Sequence, residues 1–156
     1  MPHPNPEYIN ELIGIVNNSP FPVHMSMKLV SIALDQAVIE LKTGNCHLQP
    51  FGIVHGGVFA TLIDTATFWA AFLRIPEEAG LVNIDLKLNY LQPVEKGLLR
   101  AQGNAIRSGN SISYAESRVL DESGKLIAHG TSTLMTLPGR GLTMNHSKFI
   151  TGGINN

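Results

Sequence analysis

The residues best suited to chemistry are a histidine and two glycines followed at short range by an acid. His55, Gly56 and Gly57 stand where a loop leads into a helical pattern, and Asp64 follows seven residues after Gly57. Free backbone N–H groups and the helix dipole favour negative charge at such a junction, and glycine lets a ligand approach the backbone closely. The junction therefore suits an oxyanion that forms at an attacked carbonyl, and Asp64 suits a nucleophile or a general base toward water.

Two helices are predicted from hydrophobic periodicity. The longer covers 57–73 and places Asp64 opposite a broad apolar face. The shorter covers 6–17, with Asn5 as its N-cap. Residues 21–23 are predicted to be extended, because a residue that precedes proline is disfavoured in the α region.

Most of the remaining sequence predicts strands. Residues 27–42 predict a hairpin, and the alternation from 81 to 90 is the clearest strand pattern in the chain. Short turns lead from it into three further strands that end at 136, so we expect an antiparallel meander of four. The segment 138–156 has no sustained period and is expected to be a peripheral or frayed tail. The whole chain, 1–156, is predicted to form one α+β domain.

Composition excludes several classes of function. Eleven Lys and Arg against twelve Asp and Glu leave a net charge of −1, which offers no field to hold a nucleic acid or an anionic membrane. The single cysteine, Cys46, excludes an internal disulfide and favours the cytoplasm. The apolar runs fall short of the roughly 20 residues that span a bilayer. The scattered histidines predict no metal site. We expect a soluble protein.

Three segments together resemble a known family. The run from His55 to Asp64, the strand 82–93 and the segment 124–130 are similar to the hotdog-fold thioesterases related to the phenylacetate-pathway enzyme. The resemblance covers about 24–136. It implies a hotdog fold, in which an antiparallel sheet wraps around one long central helix. It also implies homodimers with active sites at the interface, which can assemble into homotetramers.

The resemblance also implies roles for five residues. Asp64 is the expected catalytic carboxylate, and the N–H of Gly56 is expected to polarise the thioester carbonyl. His55 is expected to orient the loop or to contact the carbonyl region. Gln49 stands where family members usually have asparagine, and keeps the amide with one more methylene. Asn83 stands where some relatives carry a serine that holds the hydrolytic water, across the interface from Asp64.

The expected substrate is an acyl-CoA, so coenzyme A is part of the substrate and no separate cofactor is expected. The resemblance puts the residues that bind coenzyme A at three places: Gly57, Val82 and the turn formed by Arg107, Ser108, Gly109 and Asn110. That turn combines one cation with several hydrogen-bond donors. Weaker candidates for the phosphates are other cations: Lys87, Arg74 and Arg140.

Three other interpretations remain open at this level. A hotdog hydratase or dehydratase uses a histidine and an acid on different elements, and His47 is a candidate for that histidine. A binding module that senses acyl-CoA without catalysis would use the same fold. Cys46 beside His47 is a weaker candidate for a thiol nucleophile, because no acid is apparent to orient the histidine.

Overall fold

The computed structural model describes residues 2–151. Within that range it has three α-helices, eight strands and one short 3₁₀ turn at Asn45–His47. In chain order the elements are β1 Pro2–Pro4, α1 Pro6–Asn17, α2 Pro20–His24, β2 Met27–Ala33, β3 Gln36–Lys42, α3 Gly56–Phe72, β4 Gly80–Tyr90, β5 Leu98–Ser108, β6 Ile112–Leu120, β7 Leu126–Leu137 and β8 Phe149–Thr151. The predicted α+β class is confirmed.

The N-terminal helices follow from local capping and proline positions. Asn5 caps α1, because its side chain accepts a hydrogen bond from the N–H of Glu7 at 3.1 Å. The prediction that 21–23 are extended was wrong, since they lie in α2. Pro20 and Pro22 fall in the first turn of this helix, where the backbone N–H groups have no intrahelical acceptor and proline is tolerated.

The main sheet has six strands in the order β2-β3-β5-β6-β7-β4, and every neighbouring pair is antiparallel. The predicted hairpin is β2 and β3. The predicted meander of four strands was wrong, because only β5, β6 and β7 follow one another. β4 pairs with β7 instead, since β5 uses its other edge to pair with β3. The 91–97 connection therefore passes the start of α3, where Val54 N–H donates to Val94 O at 2.7 Å.

The sheet curves around α3, which packs against β3, β4, β5, β6 and β7. The apolar residues of α3 are buried against the sheet, including Leu62, Ile63, Ala66 and Ala70, each fully buried. Gly103 of β5 allows the closest approach, because a Cβ there would lie 2.1 Å from the carbonyl oxygen of Ala66. The predicted central helix is therefore confirmed, and it begins one residue earlier than expected.

The C-terminal segment packs back onto the N-terminal part of the chain. β8 pairs with β1 in a separate two-stranded sheet, and Asn5 N–H donates to the carbonyl of Lys148 at 2.9 Å. The Lys148 side chain is buried, and its ammonium donates to Phe72 O at 3.3 Å, at the end of α3, and to Ile75 O at 2.9 Å, just after it. The described part of this segment thus packs against the N-terminal strand and the end of α3. Residues 152–156 lie outside the described range.

Among residues 2–151, none of the helices is both long and apolar enough to cross a bilayer.

Candidate active site

His55 forms the N-terminal boundary of α3. Its backbone is extended, and its Nδ1 accepts a hydrogen bond from the N–H of Gly57 at 2.8 Å. The neutral ring then carries its proton on Nε2. The side chain is exposed, and within residues 2–151 this nitrogen has no acceptor. This contact also occupies the N–H of Gly57, so Gly57 cannot donate it to a substrate. Among residues 2–151, the N–H of Gly56 has no acceptor, and it is the donor that remains at this helix end.

The loop before α3 is held by hydrogen bonds on both sides of the junction. His55 N–H donates to His47 O at 2.8 Å, and Leu48 pairs with Val54 in an isolated bridge. Gln49 lies in the same loop, and its Oε1 accepts from the N–H of Phe51 at 2.6 Å. The Gln49 side-chain nitrogen has no acceptor among the described residues. The side-chain amide of Gln49 is therefore a second hydrogen-bond donor, on the same side of the loop as the N–H of Gly56.

Gln49 and Gly56 line one cleft of about 310 Å³, which we call the carbonyl cleft. Its apolar walls come from Phe59 of α3 and Tyr90 at the end of β4, and the 91–93 segment closes it. Tyr90 lies close to Gly56, because a Cβ on Gly56 would meet the tyrosine ring at 3.1 Å. Glycine at this position therefore keeps the cleft open beside the free N–H.

Asp64 lies two turns further along α3 and contacts β4. Its Oδ1 accepts a hydrogen bond from Nδ2 of Asn83 at 2.7 Å, and the same nitrogen lies 3.2 Å from the carbonyl oxygen of Asp64. Burial raises the pKa of the Asp64 carboxyl above its ordinary value, and the hydrogen bond from Asn83 opposes that shift. A half-buried carboxylate with a raised pKa is suited to accept a proton or to attack a carbonyl.

The expectation that Asn83 lies across an interface from Asp64 was wrong for this chain, because the two side chains meet within one subunit. β4 packs on α3, and a bulge between Asn83 and Asp85 turns Asn83 toward the helix. The Oδ1 of Asn83 is buried without a hydrogen-bond partner among the described residues. The amide nitrogen of Asn83 is thus bonded to Asp64, whereas its amide oxygen has no partner among the described residues.

The two halves of the candidate site do not meet within one chain. At about 1.5 Å per residue, eight residues of helix separate Gly56 from Asp64 by about 12 Å. On β4, Tyr90 lies at the Gly56 end and Asn83 lies at the Asp64 end, roughly 23 Å apart at about 3.3 Å per residue. The predicted proximity of the oxyanion donor and the acid is therefore not present inside a single subunit.

The residues predicted to bind coenzyme A also fall into two groups, one near Gly56 and one near Asp64. Gly57 lies beside His55, whereas Val82 is on the edge strand β4, next to Asn83. The 107–110 turn lies at the Asn83 end of the sheet, because Asn83 and Ser113 both pair with Leu134 and Thr136 N–H donates to Ser111 O at 2.9 Å. Arg107, Ser108 and Asn110 are exposed there, and Gly109 is partly buried, with its N–H donating to Ile112 O.

The weaker cation candidates differ in availability. Arg74 pairs with Asp35 through two hydrogen bonds and is therefore occupied. Lys87 and Arg140 are exposed. Of these, Lys87 lies on β4 between the two halves of the site.

Both ring nitrogens of His47 are engaged in the fold. Its Nδ1 accepts from the N–H of Gly44 at 2.8 Å, so Nε2 carries the proton and donates to Met25 O at 2.9 Å. His47 is buried, and the Sγ of Cys46 lies 3.7 Å from each ring nitrogen, but both nitrogens are already engaged by the backbone and neither is free to act as a base. This geometry counts against a hydratase or a thiol nucleophile. Within residues 2–151 no group of three or more His, Cys, Asp or Glu side chains is arranged to hold a metal.

The two aromatic residues of the carbonyl cleft were not recognised as site residues from the sequence. Phe59 has the appearance of an ordinary core residue, and Tyr90 belongs to the alternating pattern of β4. Their rings lie 6.3 Å apart in an edge-on arrangement, facing Gly56. The available signal was that Tyr90 is a large aromatic at the very end of a strand, and its position opposite Gly56 depends on the packing of β4 beside α3.

The chain is similar in sequence to known proteins. The family model of the thioesterase superfamily matches residues 51–128. The chain is 29% identical over 110 residues to a 1,4-dihydroxy-2-naphthoyl-CoA hydrolase of Listeria monocytogenes, covering 70% of this chain and 89% of that protein. It is 29% identical over 107 residues to human acyl-coenzyme A thioesterase 13, covering 67% and 76%.

Structural comparison gives the same family. The solved structure of a thioesterase from Haemophilus influenzae superimposes with a TM-score of 0.79 at 25% sequence identity, covering 94% of this chain and all of that one. The match of the family model includes the residues of the carbonyl cleft other than Gln49, α3 with Asp64, and strands β4 to β6. Sequence, fold and comparison agree that this chain belongs to the thioesterase superfamily.

Proposed function

We propose that this protein hydrolyses the thioester of an acyl-CoA to a free acid and coenzyme A. The observation that carries the proposal is the pair of complementary half-sites. One has an unused N–H at Gly56 in an aromatic-walled cleft, and the other has a half-buried carboxylate at Asp64. The names of the relatives, which include a CoA hydrolase and an acyl-CoA thioesterase, support the substrate class.

We propose further that each active site is formed by two subunits. β4 is an edge strand of eleven residues with Val82 and Ile84 exposed, and such an edge needs to be covered. A two-fold axis that pairs β4 with β4 of a second copy brings the Asn83 end of one strand to the Tyr90 end of the other. The Asp64 half of one subunit then faces the Gly56 half of its partner. Two such dimers can assemble into a tetramer.

In this site the thioester carbonyl oxygen accepts a hydrogen bond from Gly56, with the Gln49 amide and the His55 Nε2–H nearby as further donors. Negative charge that develops on the oxygen is stabilised by the helix N-terminus. The Asp64 carboxylate either attacks the carbonyl carbon, forming an anhydride that water then hydrolyses, or takes a proton from an attacking water. In both routes the C–S bond breaks and coenzyme A leaves with its thiol.

The remaining surfaces fit a coenzyme A substrate. The exposed turn at Arg107 lies at the Asp64 end of its own subunit and offers a guanidinium and several polar groups to the phosphates. With a net charge of −1, the chain has no global positive field, so the phosphates must be bound locally in this way. The single exposed cysteine, Cys46, fits a reducing compartment, and we propose the cytoplasm as the site of action.

The proposed activity is tested with a panel of aliphatic and aryl acyl-CoAs and a dye that traps the released thiol. Asp64→Ala is expected to reduce kcat by roughly a hundredfold or more, with binding of acyl-CoA largely retained. If no member of the panel releases free coenzyme A above background with the purified protein, the protein is not an acyl-CoA thioesterase. A binding module would then remain, detected as acyl-CoA binding without turnover.

The two-subunit site is tested by mixing inactive variants. A dimer of one Asp64→Ala chain and one Gly56→Val chain retains one intact site if the half-sites come from different subunits. Random pairing then restores about a quarter of wild-type activity, since half of the dimers are mixed and each has one of its two sites intact. If each site belonged to one chain, the mixed dimers would be inactive. Size-exclusion chromatography of the mixture controls for assembly.

A further inference from the structure

We propose that the acyl group binds in a second cleft, between α3 and the N-terminal helices, and that this cleft sets the length of the acyl chain that is accepted. The proposal rests on the proposed hydrolysis of acyl-CoA. We call it the acyl cleft, and its volume is about 210 Å³. Its walls include Ile15, Phe21, Pro22, Thr65, Trp69 and Leu142.

The acyl cleft adjoins the part of α3 that carries Asp64. Thr65 in its wall directly follows Asp64, and Trp69 lies one turn further along the same side of α3. A substrate whose carbonyl carbon lies against Asp64 can therefore extend its acyl chain along α3 into the cleft. The coenzyme A portion leaves in the other direction, since the proposed phosphate site at Arg107 is on the sheet.

The walls suit a hydrocarbon. Ser19 is one of the few polar side chains in the cleft, and its hydroxyl already donates to the carbonyl of Ile15 at 2.8 Å. The rim carries apolar side chains that are unusually open to solvent, with Phe21 56% exposed and Leu142 40% exposed. Covering such surface with an apolar ligand is favourable by about 25 cal/mol per Å² removed from water. An acyl chain provides that cover without requiring a polar partner.

The volume limits what fits. A cavity of about 150 Å³ lined by apolar side chains holds a benzene molecule, and a group the size of a water molecule takes about 30 Å³. At about the same volume for each methylene, the 210 Å³ of the acyl cleft hold roughly seven carbon atoms or one aromatic ring. The predicted substrates are therefore acyl-CoAs of medium chain length, near octanoyl, and aryl acyl-CoAs of similar volume.

Most walls of the acyl cleft lie outside the segment that matches the family model. Residues 15–27 and Leu142 lie outside the segment 51–128 that matches the family model, whereas Thr65 and Trp69 lie inside it. The carbonyl cleft, in contrast, contains Gln49 and the free N–H of Gly56, and its polar groups suit the thioester. Segments outside the family-model match thus build most of the side of the site that selects the acyl group.

The test compares kcat/KM across straight-chain acyl-CoAs from acetyl to dodecanoyl for the wild type and three variants. Leu142→Trp partly fills the acyl cleft, and Phe21→Ala removes its most exposed wall. Val23→Ala is the matched control, because Val23 lies on the same helix, is 60% exposed and does not line the cleft. In the wild type, kcat/KM is expected to rise with chain length and to level off near eight carbons.

Leu142→Trp is expected to lower kcat/KM for octanoyl-CoA by about tenfold and to move the optimum to shorter chains, because one methylene in an apolar pocket is worth about tenfold or more. Acetyl-CoA, which is too short to reach the filled space, is expected to lose less kcat/KM than octanoyl-CoA. Phe21→Ala is expected to raise KM for octanoyl-CoA with little change in kcat. Val23→Ala should follow the wild-type profile.

Two different failures can be distinguished. If the wild type is active and the profiles of Leu142→Trp and Phe21→Ala superimpose on it, the acyl group binds elsewhere and the proposed hydrolysis stands. If the wild type is inactive on every acyl-CoA, the proposed function fails. Binding of S-alkyl-CoA thioethers, measured by calorimetry, then tests the acyl cleft without relying on turnover. Affinity that rises with alkyl length in the wild type and less in Leu142→Trp supports it, and equal dependence in both proteins refutes it.

Discussion

Replacing Asn83 with alanine is expected to move the acidic limb of the pH–rate profile to higher pH and to leave the rate on the plateau unchanged. Burial raises the pKa of Asp64, and the hydrogen bond from Asn83 lowers it. The carboxylate is the form that attacks or accepts a proton. When the donor is removed, the pKa of Asp64 rises further, so a higher pH is needed to ionise it.

The size of the effect follows from the contact itself. Asn83 Nδ2 lies 2.7 Å from Asp64 Oδ1, and a hydrogen bond to a charged group contributes about 1.5–3 kcal/mol. Because Asp64 is only partly buried, the lower value, about 1.5 kcal/mol, is appropriate, and it corresponds to roughly a tenfold change. At pH values on the acidic limb, the variant should therefore be about tenfold slower than the wild type.

The assay is kcat/KM for one acyl-CoA measured at closely spaced pH values in buffers of constant ionic strength. Asn89→Ala is the matched control, because Asn89 is an exposed asparagine on the same strand without a contact to Asp64. A limb that stays in place or moves to lower pH would refute the reasoning. An equal loss of rate at every pH would instead assign Asn83 to contact with the reacting water.

Three further predictions concern stability and close packing. Asp64→Asn is expected to raise the melting temperature at neutral pH, because the raised pKa of Asp64 means that its ionisation destabilises the fold. This gain in melting temperature should shrink as the pH falls and the acid of the wild type becomes protonated. Calorimetry at several pH values checks this. Burial lowers the pKa of Lys148 to about 8, so the folded protein loses this proton at a lower pH than the unfolded chain does. The urea midpoint of the wild type should therefore rise between about pH 8 and pH 10 relative to that of Lys148→Met. Midpoints that change in parallel in the two proteins would contradict this prediction. Gly103→Ala is expected to destabilise the fold by about 3 kcal/mol in urea titrations, because its Cβ would lie 2.1 Å from a backbone oxygen of α3. Gly56→Ala, whose Cβ would meet the movable ring of Tyr90 at 3.1 Å, should instead fold normally and lose kcat/KM, and a comparable loss of stability in both glycine variants would refute this distinction.

The elements set by short-range patterns could be predicted from the sequence. The bounds of α3 were predicted to within one residue, because apolar periodicity and the junction at His55 both mark the same helix. The alternation from 81 to 90 predicted β4 for a similar reason. The error at 21–23 has a local cause as well, since the avoidance of helix before proline is a preference and two prolines fit the first turn of α2.

The candidate site could be predicted as a set of residues, whereas its geometry could not. His55, Gly56 and Asp64 stand out because their types and spacing match a chemical task. The contact between Asn83 and Asp64 joins residues 19 positions apart and depends on a bulge that turns one side chain toward α3. Tyr90 lies beside Gly56 only because β4 packs beside α3 at the edge of the sheet.

The sequence by itself determined which segments are helix or strand and which residues are equipped for chemistry, because those properties depend on neighbours a few positions away. The tertiary structure alone decided that β4 leaves its sequence neighbour β5 and pairs with β7 at the edge of the sheet. Strand order depends on which edges are available across the whole chain, and no local pattern encodes it. As a result, β4 lies along α3, with Tyr90 beside the oxyanion donor Gly56 and Asn83 bonded to the acid Asp64.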